Sequence, residues 1–159
     1  LTGNVPDALR FDSEILGSEW QIGGAPNPRG EWWFNAGVLR TRSTLDVLPR
    51  DDAAVRGAPD WSLGVGGRWR FRNGFHVGGH FGHAEPTWVV NDDASIERLS
   101  ARDLLDLRLG FRGERYELSL WGTNLLDDDY VADSYGRSLL LTPYHARNRV
   151  VGIDLRADF

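Results

Sequence analysis

Four histidines, a run of three aspartates and a ladder of arginines are the side chains whose types and spacing could do chemistry in this sequence. His76, His80 and His83 invite a metal or haem reading, because imidazole is a common ligand of transition metals. On an extended strand His76 and His80 share a face but lie about 13 Å apart, too far to ligate one ion. The three are therefore read as polar residues lining a wet lumen. His145 falls in a long segment near the end of the chain and is the one residue proposed from sequence to touch a ligand. Asp127, Asp128 and Asp129 bring three carboxylates together, yet they lack the spaced oxygen ligands and the glycine of a calcium loop. A solvated loop is expected there.

Arg68, Arg70 and Arg72 recur at every second residue, which on a strand makes a positive ladder along one wall. Such a ladder can pair with carboxylates on neighbouring strands, meet another domain or hold an anion. No nucleophile elbow and no pair of catalytic acids is visible. Gly64-x-Gly66-Gly67 is a strand pattern and not a phosphate loop leading into a helix. The absence of cysteine removes disulfides, thiolate metal sites and cysteine nucleophiles. No catalytic residue, metal or cofactor is expected, and the protein is not expected to be an enzyme.

The elements that must position these groups are strands. Seven are predicted, over residues 9–23, 31–46, 60–72, 74–85, 102–112, 115–123 and 148–159, and helical periodicity is weak throughout. In the third, Trp61, Leu63, Val65, Gly67, Trp69 and Phe71 oppose Ser62, Gly64, Gly66, Arg68, Arg70 and Arg72. In the fifth, Leu105, Leu107, Leu109 and Phe111 oppose Asp106, Arg108, Gly110 and Arg112. In the sixth, Tyr116, Leu118 and Leu120 oppose Glu117, Ser119 and Trp121. The last sets Val151, Ile153, Leu155, Ala157 and Phe159 against Gly152, Asp154, Arg156 and Asp158. One face suits lipid and the other a wet lumen, although a soluble sheet alternates as well.

The connections discriminate better, because they alternate in length. Arg72-Asn73-Gly74 and Arg112-Gly113-Glu114 are tight turns, with Asn73-Gly74 expected as a type I′ hairpin. Residues 47–59, 86–101 and 124–147 are long and polar. Short inner turns and long outer loops are the pattern of bacterial outer-membrane barrels. The stretch from Gly23 to Pro28 is expected as a longer inner turn and fits less well. Trp61 and Trp69 share a face and would differ in height by about 19 Å at a 45° tilt, near the spacing of two aromatic girdles.

Composition allows this reading. At 159 residues the chain is long enough for one domain, so a soluble domain is not dismissed on length. The absence of any apolar run near eighteen residues excludes a helical membrane bundle, a test that barrels escape because only alternate residues face lipid. A net charge of -5 with no basic stripe argues against nucleic acid as a partner. The chain starts at Leu1 with no signal-like segment before its first strand, so a mature chain or an excised piece is expected.

With these residues in place, the chain resembles the carboxy-terminal end of a TonB-dependent outer-membrane receptor. The resemblance rests on Leu104 to Leu109 opening a strand, on Tyr116 to Tyr130, and on the closing segment Arg149 to Phe159. Its strongest part is Asn124-Leu125-Leu126-Asp127 followed by Tyr130, similar to a family segment that leaves the penultimate strand. Leu126 stands where the family more often has Phe. The resemblance implies an all-β, antiparallel, up-and-down transmembrane barrel. Residues 1–159 would supply about seven strands of a barrel of 22, the plug domain lying outside the chain.

It further implies a place in the bacterial outer membrane and energised uptake of a scarce ligand, a ferric siderophore foremost. The implied partners are outer-membrane lipid, the rest of the barrel and its plug, TonB acting through the plug region, and the barrel-assembly machinery. That machinery would read Val151, Ile153, Leu155, Ala157 and Phe159 as its signal. Two alternatives stay open: a small structural or adhesive barrel without energy coupling, which needs an eighth strand, and an outer-membrane enzyme or soluble lectin-like β-domain.

Overall fold

The computed structural model describes residues 11–45, 59–90, 96–133, 144–145 and 148–158. All the elements assigned among them are strands: β1 (Phe11–Asn27), β2 (Gly30–Leu45), β3 (Trp61–Arg70), β4 (Phe75–Ala84), β5 (Thr87–Val90), β6 (Ile96–Leu99), β7 (Arg102–Arg112), β8 (Tyr116–Thr123), β9 (Val131–Asp133), β10 (Tyr144–His145) and β11 (Val150–Ala157). Seven of them form one sheet in the order β1-β2-β3-β4-β7-β8-β11, with every neighbour antiparallel. This is an up-and-down meander, and β1 and β11 are its two edges. The seven match the predicted strands with ends shifted by a few residues, as the period-2 pattern requires.

Register turns the alternation of each strand into two continuous faces. Ile22, Phe34, Val65, Phe81 and Leu105 follow one another across β1, β2, β3, β4 and β7. Leu109, Leu120 and Ile153 continue the same face across β7, β8 and β11. The opposite face carries Glu31, Arg68, Gly78, Arg108, Trp121 and Gly152 in one row.

Large apolar residues on the first face stand open, Leu155 at 73% and Ile153 at 71% exposure. The only buried hydrophobic residues among those described are Ala84 and Leu99. Among the described residues this sheet leaves its apolar face open, with no core of the kind that stabilises a soluble sandwich. The barrel reading accounts for that face and the sandwich reading does not.

Four connections differ from expectation. β1 runs on through the glycine-proline stretch to Asn27, with a register shift between Gly24 and Asn27, and turns tightly at Pro28 and Arg29. The Arg29 amide donates to Asn27 Oδ1 at 2.9 Å and closes that turn. A bulge absorbs what reads in sequence as a longer inner turn.

At Asn73-Gly74 only Gly74 has positive φ, at 90°, so the turn is not type I′, which needs positive φ at both central residues. The Gly74 amide donates to Phe71 O and the Phe71 amide to Phe75 O, the pattern of a three-residue loop ending in a left-handed residue. Lastly, residues 86–101 and 124–147 contain structure of their own. Thr87–Val90 pairs with Ile96–Leu99, and Val131–Asp133 pairs with Tyr144–His145. Short apolar runs between polar turns gave that possibility, which the polar composition of the segments as a whole concealed.

Candidate functional site

The polar face is a wall built from β2, β3, β4, β7, β8 and β11. Glycines make its relief. A side-chain carbon at Gly66 would meet the Trp33 ring at 2.4 Å, and one at Gly152 would meet the Trp121 ring at 2.5 Å. Each indole therefore lies across a bare stretch of the neighbouring strand. Trp33 also stacks with His80, ring centres 6.4 Å apart. Between the two tryptophans runs an open cleft of about 830 Å³, bordered by Arg68, Gly78, His80, Asp106 and Arg108.

Charges on this wall are partly matched across strands. Arg68 Nε lies 2.7 Å from Glu31 Oε1, and Arg108 Nη2 lies 2.6 Å from Asp154 Oδ2. Glu117 is shared by Arg112 and His76, both at 3.8 Å. Of the arginine ladder, Arg68 thus pairs with a neighbouring carboxylate, while Arg70 and Arg72 have no ion pair among the described residues. The sequence put Asp154 on the polar face without showing its partner Arg108, and it singled out neither Glu31 nor Trp33.

The histidines separate. His76 and His80 face this wall, as expected. His83 does not: it pairs with Leu63 and Asp103 in register and belongs to the outward face. It stacks on Trp61 with ring centres 4.6 Å apart, and its Nδ1 lies 2.6 Å from Asp103 Oδ1. His83 is three positions from His80, an odd step, so on a period-2 strand the two had to part. Among the described residues no three His, Asp or Glu side chains converge as metal ligands would. The backbone of His145 pairs with Val131 in the β9–β10 hairpin, while its side chain lies outside the described residues. Phe159 also lies outside them.

Asn124-Leu125-Leu126-Asp127 and the following residues form a turn at the end of β8. Asn124 and Asp127 hold left-handed backbone, φ 48° and 57°. Asn124 is 5% exposed, and it exchanges two bonds with Asp128: its Nδ2 donates to Asp128 O at 2.9 Å and its Oδ1 accepts from the Asp128 amide at 3.0 Å.

The turn is tied to β7 three times, by the Asn124 amide to Asp106 Oδ1, the Leu125 amide to Leu105 O, and the Asp103 amide to Asp128 Oδ2. Asp127 reaches the start of β11 by accepting from the Arg149 guanidinium at 3.1 Å. Arg102 lies over the Tyr130 ring, 5.7 Å from its centre. Asp127 and Asp128 therefore serve the fold, as the solvated-loop reading did not foresee.

No protein-family model matches the chain, and no curated protein matches it. Solved structures do. The ferric yersiniabactin uptake receptor FyuA from Yersinia pestis is similar with a TM-score of 0.75 and 23% identity, over 92% of this chain and 24% of that one. FpvA of P. aeruginosa bound to heterologous pyoverdines gives 0.69 and 19%, over 92% and 20%. FpvAI in complex with pyocin S2 gives 0.69 and 18%, over 94% and 20%. The fold is that of the barrel portion of TonB-dependent receptors. This chain spans a fifth to a quarter of the length of the structures it matches.

Proposed function

We propose that residues 1–159 are the carboxy-terminal part of the barrel of an outer-membrane TonB-dependent receptor, and that the whole protein imports a scarce ligand, a ferric siderophore foremost. The observation that carries this is the single-layer sheet with an outward apolar face, similar in fold to receptors for yersiniabactin and pyoverdines. The apolar face meets lipid. The polar wall lines the lumen and faces the plug, through which TonB acts.

Both sheet edges, β1 and β11, would be costly in hydrocarbon unless further strands cover them, which favours a larger barrel over a small one. Function on this reading is binding and gating. The segments between β2 and β3, β4 and β7, and β8 and β11 form the outer rim, where ligand is captured. The β5–β6 and β9–β10 hairpins stand in that rim, His145 with them.

The test is uptake of radioactive iron carried by a panel of siderophores, in cells with and without the full-length gene. Uptake of one chelate lost on gene deletion and equally lost without TonB is expected. Uptake unchanged by deletion for every chelate would remove the siderophore reading, and uptake that persists without TonB would point to the non-energised barrel.

The closing strand carries a second role in this reading, as the signal for the barrel-assembly machinery. Val151, Ile153 and Leu155 stand outward on β11, opposite Gly122, Leu120 and Leu118, and Ala157 lies opposite Tyr116. Deleting Phe159 from the full-length protein is expected to lower the amount inserted in the outer membrane. Unchanged insertion and unchanged heat-modifiable gel migration would count against the signal.

A further inference from the structure

The terminal hairpin has a register problem that its pattern does not solve. In a short hairpin the turn fixes the pairing. Here β8 ends at Thr123 and β11 begins at Val150, so the connection imposes nothing comparable. A slip by one residue is forbidden, because it would turn Val151, Ile153 and Leu155 to the polar side. A slip by two is not. Leu120, which faces Ile153, would then face Val151 or Leu155, and the outward surface would stay apolar.

We infer that register is set by two keys, one steric and one ionic, placed at the long-loop end of the hairpin. The steric key is Trp121 on Gly152. A carbon added at Gly152 would sit 2.5 Å from Trp121 Cζ2 and 2.6 Å from Cε2, so the indole occupies the place of a side chain that glycine lacks. In either two-residue slip Trp121 faces Asp154 or Val150, and the ring has to leave its seat. One of those slips also moves Asp154 away from Arg108 on β7, its partner at 2.6 Å.

The ionic key is Asp127, which accepts from the Arg149 amide at 3.3 Å and from its guanidinium at 3.1 Å. Both side chains are about half exposed, so this pair is weak as a source of stability. Its value is positional. Asp127 is fixed by the Asn124 turn, which is itself bonded to Leu105 and Asp106 on β7. Arg149 immediately precedes β11, so a clamp there selects among pairings that the apolar face treats alike. The Asn124-to-Asp127 segment is thus a ruler that carries the register of β7 and β8 across to the last strand. The inference rests on the membrane-barrel reading alone and is indifferent to the ligand.

The test uses the full-length protein, and this part of it has no native thiol. Directly opposed residues have Cα atoms about 4.5–5.5 Å apart, within disulfide range, and diagonal neighbours stand at about 7–8 Å, outside it. Leu120→Cys with Ile153→Cys reports the observed register. Leu120→Cys with Leu155→Cys, or with Val151→Cys, reports the slips. Oxidative crosslinking of membrane-inserted protein is compared in four backgrounds: wild type, Trp121→Ala, Asp127→Ala and the double variant.

Wild type is expected to crosslink at 153 alone. Each single variant should raise the slipped yield severalfold, and the double variant at least tenfold. In the Trp121→Ala background, exchange of the charges by Asp127→Arg with Arg149→Asp should keep slipped yield below that of the double variant.

Crosslinking confined to residue 153 in all backgrounds would overturn the inference, and so would a charge exchange no better than Asp127→Ala. Should the double variant fail to insert, wild-type ratios in both single variants would overturn it equally. Siderophore uptake is read in parallel: a slipped register in a competent importer, or a correct one in a protein that imports nothing, separates this inference from the transport proposal.

Discussion

Asn124 joins backbone and side-chain demands at one residue. Its left-handed φ of 48° suits asparagine better than most side chains, and its amide satisfies both a carbonyl and an N–H of Asp128 while only 5% exposed. Asn124→Ala leaves two polar groups of Asp128 to find water and adds backbone strain. Together these cost about 2–4 kcal/mol, from about 1–3 kcal/mol for unsatisfied buried groups and about 1 kcal/mol for the conformation. Asn124→Gly should cost less, because glycine removes the strain.

The measurement is the urea midpoint of the full-length protein in detergent or lipid. Equal midpoints for Asn124→Ala and wild type would refute the role. Residue reasoning also explains the fate of the sequence-level candidates. Asp127 and Asp128 looked like solvated loop carboxylates because their partners, Arg149 and the Asp103 amide, are more than twenty residues away.

At the scale of the strand, what counts is which side a residue faces. Leu107 stands on the outward face in a row with Gly79 and Gly122, flanked along β7 by Leu105 and Leu109. Leu107→Arg would put a cation in hydrocarbon and is expected to cost about 2–4 kcal/mol if the row lies at the bilayer midplane. Gly78 lies one residue from Gly79 but on the polar wall, and a Cβ there would meet its nearest neighbours at 3.6 Å, an ordinary contact. Gly78→Gln is expected to leave stability within about 0.5 kcal/mol, as surface changes usually do. The unfolding midpoints of the two variants in lipid check the pair. A Gly78→Gln variant as damaged as Leu107→Arg would mean that the two faces have been assigned wrongly.

For the whole molecule, the open edges matter most. Among the described residues β1 offers unpaired backbone along Phe11–Asn27 and β11 along Val150–Ala157, with exposed leucine and isoleucine beside both. Residues 1–159 expressed alone are expected to associate through these edges or fail to insert, giving no heat-modifiable monomer on gels. A monomeric, heat-modifiable band from that segment would show that it closes by itself and would revive the small-barrel alternative.

The sequence by itself determined the seven strands of the main sheet, their parity and the alternation of short and long connections, because each of these is local. A period of two, a tight-turn signature and a polar segment are all read within a dozen residues. Even the outward face of the final strand was legible in Val151, Ile153 and Leu155.

What only the tertiary structure decided depends on register, which pairs residues far apart in the chain. Trp33 finds Gly66, Trp121 finds Gly152, Arg108 finds Asp154, and His83 finds Trp61 and Asp103. Alternation is satisfied by every even shift of one strand against the next. The choice among those shifts is made by knobs on glycines and by clamps between distant residues, which no single strand contains.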